Sequence, residues 1–586
     1  MATQTKIQVR RVYNKKNINM PKFRSITDKN AKVLYLETNA LGSALLATPK
    51  LNKGTAFTES ERQQFRLRGK LPYSIESLQQ QEMRVYQQFL KKENNLEKHL
   101  YLRSLHNTNE VLFYKLVSQH LTEMLPILYT PTVGKAVEQF SQEFQQPRGL
   151  YLSYPDKEHI DEILENRLNP EVDIIVITDG EGVLGIGDQG IGGMDICIAK
   201  LMVYVLCAGV NPNRLLPIQI DVGTNNEQLL NDPMYLGWRH PRIADQKYDD
   251  MIETVVSAIR RKLPRAYLHW EDFGRENARR NLERYHNQMC TFNDDMQGTG
   301  AVTLVALLSA IKRTKIPLTE QRVVIVGAGT AGTGIADQLC AGMIREGLSK
   351  EEALSRFYLV GRHGLIHDAT SNLTAFQKPY AQRLKGELVT TLQLHDVVQK
   401  FKPTVLIGCS GQGGIFTEAI VKTMAAQVKY PIIFPLSNPT EKSEATPDDL
   451  LNWTEGRALI ATGSPFGQVD FKGEKIPIAQ CNNALIYPGI GLGVLVAKAT
   501  RLSEGMLWEA CKALSSFASK TTDAKNALLP NFEDVQAISR CIALAVATQA
   551  REEGLAEVKK SVDLAEEIDH QFWYPEYVNF HYSTSI

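Results

Sequence analysis

The feature that most constrains this fold is a glycine-rich turn between an apolar strand and a helix. The apolar run Arg322-Val323-Val324-Ile325-Val326 leads into Gly327-Ala328-Gly329-Thr330-Ala331-Gly332, and a helix is predicted from Thr333 to Gly342. In this context G-x-G-x-x-G is a dinucleotide-binding fingerprint, because its glycines let the backbone approach a pyrophosphate that the helix N-terminus attracts. A Rossmann-type parallel sheet is therefore predicted here, and a tight turn without a ligand is the alternative.

The choice of dinucleotide depends on the end of the next strand. Phe357-Tyr358-Leu359-Val360 would be expected to end in an acid that binds the ribose of NAD, but Gly361 and Arg362 follow instead. An arginine there leaves room for the 2′-phosphate of NADP. A later strand is followed by a polar loop that contains Asn438, whose amide is placed to hold a carboxylate or carboxamide.

Two pairs of adjacent carboxylates suggest a metal site. Glu271 and Asp272 follow the strand-like run 266–268, while Asp294 and Asp295 are expected at the end of a helix-like run. Carboxylate oxygens are the hard donors that Mg²⁺ and Mn²⁺ prefer. Solvated surface charges are the alternative interpretation.

The region before these acids has an α/β texture. Strands are predicted at 172–178, at 183–188 and at 216–221, with an apolar helix at 194–208 that carries Lys200. A lysine in such a helix usually extends to solvent. The alternative is a buried amine whose pKa is lowered toward neutrality, which would suit a general base. Tyr129 marks a break in the helical pattern predicted over residues 56–146; this break is either a simple helix junction or a residue presented to a cleft.

Composition narrows the class of protein. A chain of 586 residues, 43% hydrophobic and 22% charged, is expected to form more than one soluble globular domain. A net charge of +1 gives no case for nucleic-acid binding. No uninterrupted apolar run approaches the roughly 18 residues of a membrane span. The predicted α/β organisation is a mainly helical N-terminal domain (1–147), a parallel-sheet substrate domain (148–293 with 483–555), a Rossmann domain (294–482) and an aromatic tail that contacts another subunit (556–586).

The N-terminal segment 1–27 is basic and contains no acid. A mitochondrial presequence is also basic and acid-poor, but it is usually rich in serine, and this segment has one serine. A flexible basic arm and a cytoplasmic location are therefore expected, with the mitochondrial matrix as the alternative.

The motifs together closely resemble the malic enzymes and their relatives, the malolactic enzymes. They follow the family's order along most of the chain: YTPTVG at 129–134, VITDGEGVLGIGDQGIGG at 176–193, IDVGTNN at 220–226, HWEDFG at 269–274, TFNDDMQGT at 291–299, GAGTAG at 327–332, LSNPT at 436–440 and GSPFG at 463–467.

This resemblance implies an NAD-dependent oxidative decarboxylation of (S)-malate to pyruvate and CO₂, with NADP as an alternative cofactor and with Mn²⁺ or Mg²⁺. It also implies a homodimer or homotetramer. The roles it implies are a metal bound by Glu271, Asp272 and Asp295, Lys200 as general base oriented by Asp294, Tyr129 as general acid, and Asn438, Asn482 and Asn483 at the substrate.

One departure from the family pattern is Gly182, which stands where many malic enzymes have an arginine that binds the substrate carboxylate. Malolactic enzymes also tend to have glycine there, and the residues around Lys200 resemble theirs. The first alternative function is therefore conversion of malate to lactate and CO₂ with NAD and Mn²⁺ retained. The second is a non-catalytic protein that responds to a dinucleotide.

Overall fold

The structure is a computed structural model that describes residues 21–27, 33–167, 171–383, 392–521 and 528–586. The first twenty residues of the predicted basic arm lie outside these ranges. Two compact units can be distinguished. The first contains the described residues up to Tyr86 with Leu105–Phe113 and Pro575–Ile586, and the second contains Gln87–Ser104 and the described residues of Tyr114–Tyr574.

The N-terminal part is mainly helical, in agreement with the prediction for residues 56–146. Thr58 caps the second helix, where its side chain and that of Glu61 each accept a hydrogen bond from the other residue's backbone N–H. The elements are β1 (Phe23–Thr27), β2 (Val33–Thr38), α1 (Ser43–Leu46), α2 (Glu59–Gln64), α3 (Leu78–Leu90), α4 (Asn95–Thr108), α5 (Glu110–Gln119), α6 (Leu121–Leu128) and α7 (Thr132–Glu138).

A five-stranded parallel sheet follows along the chain, with strand order β3-β5-β4-β6-β7. Its core is built from strand and helix residues such as Ile175, Ile218 and Val255. The elements are β3 (Leu150–Ser153), α8 (Ile160–Glu165), β4 (Ile174–Thr178), α9 (Met194–Ala208), β5 (Leu215–Asp221), α10 (Glu227–Asn231), α11 (Asp245–Lys262), β6 (Tyr267–Trp270), α12 (Arg275–Tyr285) and β7 (Thr291–Asn293).

The following segment forms a seven-stranded sheet of order β10-β9-β8-β11-β12-β13-β16, parallel except at β10. The Rossmann-type prediction is therefore confirmed. The elements are α13 (Thr299–Thr314), β8 (Val323–Val326), α14 (Thr330–Arg345), α15 (Lys350–Leu354), β9 (Phe357–Gly361), β10 (Gly364–Leu365), α16 (Leu394–Phe401), β11 (Val405–Gly408), α17 (Glu418–Gln427), β12 (Ile432–Pro435), α18 (Pro447–Trp453), β13 (Leu459–Thr462), β14 (Val469–Phe471), β15 (Glu474–Ile476) and β16 (Ala479–Gln480).

The C-terminal part is helical and ends in a strand. Its elements are α19 (Tyr487–Ala497), α20 (Glu504–Thr521), α21 (Val535–Glu552), α22 (Leu564–Gln571) and β17 (Asn579–Tyr582). Within the first unit, β17 pairs with β2, and Phe580 enters the local core, where the Lys53 ammonium lies 4.0 Å from its ring centroid. The end of the aromatic tail is thus docked on its own chain. Its contact with another subunit, like the predicted domain boundaries, stays a prediction.

Three local predictions differ from the structure. Helix α14 begins at Thr330, three residues before the predicted start, because Gly329 is its N-cap and the following residues already form the first helical turn. Residues 183–188 form a tight turn closed by a single bridge between Val183 and Gly187, too short for a strand. The second carboxylate pair follows β7, where a helix end was expected.

Helix α9, which carries Lys200, is strongly apolar. With the preceding turn it spans Gly190–Ala208, long and apolar enough to cross a membrane, but it is wholly buried within the protein. It is therefore a core helix between the sheet and α19 and α21, and its residues, including Lys200, are set by packing.

Candidate active site

The register of two parallel strands brings the acids together. Strands β6 and β7 pair Trp270 with Asn293, so the next positions along the two strands are Glu271 beside Asp294 and Asp272 beside Asp295. Both pairs lie at the carboxyl edge of the sheet, where parallel α/β sheets bind ligands. The backbone N–H of Asp272 donates to Asp295 at 2.9 Å, which joins the two turns.

Three of these carboxylates form a candidate cation site. Glu271, Asp272 and Asp295 each offer a ligand atom, and these atoms lie within 4.8 Å of one another. Asp272 has a left-handed backbone (φ 54°), a strained conformation for a residue with a side chain. One of its oxygens accepts from the Leu184 N–H at 3.2 Å, and the other is buried with no hydrogen-bond partner. A crowded, partly unpartnered set of buried carboxylates fits a hard divalent cation.

The electrostatics of the three acids support this fit. Burial raises the pKa of Glu271 to about 8 against the opposing effect of Lys200, and Asp294 adds to the rise. Burial, followed by repulsion from neighbouring acids, raises the pKa values of Asp272 and Asp295 well above their usual range. The ionised cluster is therefore unfavourable by itself, and a divalent cation would offset the repulsion.

Lys200 lies beside this cluster, only 2% exposed. Its ammonium forms ion pairs with Asp294 and, at 2.9 Å, with Glu271. Burial lowers the pKa of this amine, but Asp294 and Glu271 raise it by more, so the pKa lies well above its ordinary value. The expectation that Lys200 extends to solvent is therefore wrong, and the alternative of a buried amine is confirmed. Its pKa, however, is not lowered as that alternative assumed, because two acids meet the amine inside the protein.

Two tyrosines enclose the same amine. The Lys200 nitrogen lies 5.3 Å from the ring centroid of Tyr129 and 5.0 Å from that of Tyr487. Tyr129 is buried, and burial raises the pKa of its hydroxyl despite the opposing effect of Lys200. Tyr129 therefore faces the reactive cluster as a protonated phenol, and the cleft interpretation of the helix break fits the structure. Tyr487 was not singled out from the sequence.

The three predicted asparagines lie in different settings. Asn483 donates to Asp294 at 2.8 Å, so it belongs to the cluster. Asn482 uses its side-chain oxygen to cap the turn at Ala484 at 3.0 Å. Asn438 is exposed and accepts from the Ser464 hydroxyl at 2.7 Å, in the loop that follows β12. The structure thus brings Asn483 to the acid cluster and places Asn438 at the carboxyl edge of the seven-stranded sheet.

A histidine and a tyrosine without a predicted role complete the cluster. Both ring nitrogens of His269 form hydrogen bonds: Nδ1 with the Tyr204 hydroxyl at 2.9 Å and Nε2 with Glu271 at 3.0 Å. Burial lowers the pKa of His269 to about 3, so the ring is neutral at physiological pH. The signal available in the sequence was spacing: His269 and Glu271 share one face of a strand, and Tyr204 lies one helical turn after Lys200.

The glycine-rich loop has the shape expected of a dinucleotide site. Gly327 has φ 109°, and a Cβ there would lie 2.5 Å from the Cys409 carbonyl oxygen, so only glycine fits. A Cβ at Gly332 would collide with the Gly327 carbonyl oxygen. At Gly329 the nearest atom, on the Arg275 side chain, would be 3.7 Å away. Of the three loop glycines, Gly329 is therefore the one with open space beside it. It lies at the N-terminus of α14, next to Thr330 and Ala331.

Two further positions concern specificity. Arg362 is exposed in the turn between β9 and β10, next to the strand that leads into the loop. Gly182 lies against the chain after the metal-site turn: its N–H donates to the Asp272 carbonyl at 3.0 Å, and a Cβ would lie 2.8 Å from the Phe273 carbonyl oxygen. An arginine at 182 would thus require a backbone shift, which accounts for the glycine.

The fold and the site together define a dinucleotide-binding enzyme with an acidic cation site. The family model described as "Malic enzyme, N-terminal domain" matches residues 106–286, and the one described as "Malic enzyme, NAD binding domain" matches residues 296–551. The chain is 49% identical over 540 residues to an NAD-dependent malic enzyme of Aeromonas hydrophila, covering 92% of this chain and 96% of the relative. It is 50% identical over 556 residues to NAD-dependent malic enzyme 2 of Photobacterium profundum, covering 94% and 99%.

The chain belongs to the malic enzyme family. Its fold also resembles the crystal structure of the Entamoeba histolytica malic enzyme, with a TM-score of 0.55 at 22% identity, covering 86% of this chain and 90% of that one. The predicted family and fold class are confirmed.

Proposed function

We propose that this protein is an NAD-dependent malic enzyme that converts (S)-malate to pyruvate and CO₂. The observation that carries the proposal is the buried cluster in which Lys200, Tyr129 and the acids at the ends of β6 and β7 meet. The names of the relatives, which match nearly the whole chain, favour this reaction over the malolactic one. They also favour an enzyme over a non-catalytic dinucleotide-binding protein.

Each residue has a defined task in this reaction. Glu271, Asp272 and Asp295 would hold Mn²⁺ or Mg²⁺, and the loop at 327–332 would hold NAD⁺ with Arg362 and Asn438 nearby. When bound, the cation would polarise the substrate oxygens and the nicotinamide would accept a hydride. Asn438, Asn482 and Asn483 are proposed to orient the substrate carboxylates.

The proton transfers belong to the protein. Lys200 accepts the proton of the malate C2 hydroxyl once its amine is neutral, and Asp294 orients that amine. A divalent cation held by Glu271 would offset the negative charge that raises the pKa of Lys200 and so favour the neutral amine. Tyr129 donates its proton to C3 once CO₂ has left. Because the Lys200 nitrogen lies 5.3 Å from the ring centroid of Tyr129, the proton taken from the substrate has a short path back to the Tyr129 hydroxyl. The acid and the base therefore act as one pair inside a water-poor pocket.

Product identification tests the reaction. Purified protein with malate, Mn²⁺ and excess NAD⁺ should form NADH and pyruvate in equal amounts. Lactate without NADH would show the malolactic reaction instead, and no turnover would support the non-catalytic alternative.

The Tyr129→Phe variant separates chemistry from binding. It removes one hydroxyl and keeps the ring beside Lys200, so kcat should fall by about 100-fold while Mn²⁺ binding stays unchanged. Full activity of this variant would remove Tyr129 from its proposed role.

We further propose a homodimer or homotetramer in the cytoplasm. The family resemblance supports the proposed assembly, and the bacterial relatives support the proposed location. Light scattering of the purified protein gives the number of subunits, and a monomer at micromolar concentration would contradict the proposal.

A further inference from the structure

A closed ring of buried contacts links the base helix to the metal-ligand strand. Helix α9 contributes Lys200 and Tyr204, strand β6 contributes His269, and Glu271 directly follows that strand. Lys200 contacts one oxygen of Glu271 at 2.9 Å, His269 contacts the other at 3.0 Å, and Tyr204 contacts the far nitrogen of His269 at 2.9 Å. All four residues are at most 2% exposed.

The direction of these hydrogen bonds follows from the groups involved. Glu271 must be ionised to bind a divalent cation, and an ionised carboxylate only accepts, so in that state Nε2 of His269 carries the proton that it donates to Glu271. Nδ1 then accepts the hydroxyl proton of Tyr204. The tyrosine thereby fixes both the tautomer and the plane of the imidazole, and the imidazole fixes one carboxylate oxygen of Glu271.

His269 is not placed to be a cation ligand itself. Its ligand atom lies within 4.8 Å of carboxylate oxygens of Glu271 and Asp294. The Lys200 ammonium, however, contacts both of these acids and already supplies the positive charge there. Its Nε2 is occupied by the hydrogen bond to Glu271. The divalent cation site is the neighbouring group that contains Asp272 and Asp295.

We propose that His269, held by Tyr204, is a positioning residue that orients Glu271 for binding of the divalent cation. This inference rests on the proposed metal site. Without the imidazole, Glu271 would keep only its contact with Lys200 and could turn away from Asp272 and Asp295. Partners of this kind around metal ligands typically change metal affinity by about 10–100-fold when they are removed.

The test measures Mn²⁺ binding to the full chain by electron paramagnetic resonance of free Mn²⁺, without turnover. His269→Leu should raise the dissociation constant by about 10–100-fold. His269→Gln retains an N–H near the Nε2 position and should stay within about threefold of wild type, while Tyr204→Phe should give an intermediate rise of roughly threefold to tenfold. His395→Leu, on an exposed histidine of α16, is the matched control and should bind as wild type does.

The outcomes separate the two proposals. If wild type binds no Mn²⁺, the proposed metal site fails. If wild type binds Mn²⁺ and His269→Leu binds it equally well, the metal site stands and the role of His269 is overturned. Melting curves of the metal-free variants establish folding. Should His269→Leu be unfolded, the comparison of His269→Gln with Tyr204→Phe decides, and equal wild-type affinity for Tyr204→Phe contradicts the proposal.

Discussion

The glycine-rich loop at 327–332 and the carboxylate cluster around Lys200 are held in place by different forces. The loop is shaped by excluded volume, since a side chain at Gly327 would collide with the backbone of Cys409 after β11 and one at Gly332 with the backbone of Gly327. The cluster collects Lys200 from α9, the acids that follow β6 and β7, Tyr129 from the end of α6 and Tyr487 from the start of α19. The loop needs no ligand to keep its form, whereas the cluster buries more negative charge than Lys200 neutralises.

This difference predicts how each region responds to substitution. A substitution in the loop acts through the space available to the new side chain. Where that space is filled, we expect stability and cofactor binding to fall together. Where it is open, we expect only cofactor binding to fall. A change in the cluster acts through charge, so it can abolish chemistry while the fold, which is packed around large apolar residues, persists. The predictions below test this contrast.

The largest effect is expected for Lys200→Met. The substitution keeps the volume of the buried side chain but removes the amine, so kcat should fall by about 1,000-fold in the malate assay. Mn²⁺ should still bind, because the substitution removes the ammonium that would repel the cation and leaves the three proposed carboxylate ligands unchanged. Lys422→Met, at an exposed lysine paired with Glu418, is the control. More than a tenth of wild-type activity in Lys200→Met would contradict the assignment of the base.

The loop is probed by a pair of identical changes. Gly332→Ala forces the chain apart at Gly327, so its melting temperature should drop by several degrees and NAD⁺ affinity should fall at least about tenfold. Gly329→Ala has room in the protein, so its melting temperature should be unchanged, while NAD⁺ affinity falls roughly threefold to tenfold. Thermal unfolding and NAD⁺ titration measure both. Equal loss of stability in the two variants would remove the distinction.

The smallest effect is expected at Arg362. Because the side chain is exposed in the turn after β9, Arg362→Ala should change kcat/KM for NAD⁺ by less than about threefold. Any activity with NADP⁺ should fall more, since the arginine is the cation placed near a 2′-phosphate. A large loss with NAD⁺ would show that Arg362 contributes to binding of the shared part of the cofactor.

The same contrast explains what could be predicted from the sequence. Helix α9 was predicted with its observed bounds because an apolar run between glycines is a local signal. The loop was recognised for the same reason. The contact of Lys200 with Asp294 was implied only by the family resemblance, and its contact with Glu271 was not predicted, because both acids follow strands that are distant from Lys200 in sequence. The strand proposed for residues 183–188 failed because a turn rich in glycine can imitate short alternation.

The most direct test of the cation site is the thermal stability of Asp272→Asn with and without Mn²⁺. The substitution removes one of three crowded carboxylates while keeping the shape of the side chain. The metal-free variant should melt at a temperature equal to or above that of metal-free wild type, because repulsion is relieved. Mn²⁺ should raise the melting temperature of wild type but not that of the variant. An equal Mn²⁺-dependent increase in both proteins would contradict a cation site built on Glu271, Asp272 and Asp295.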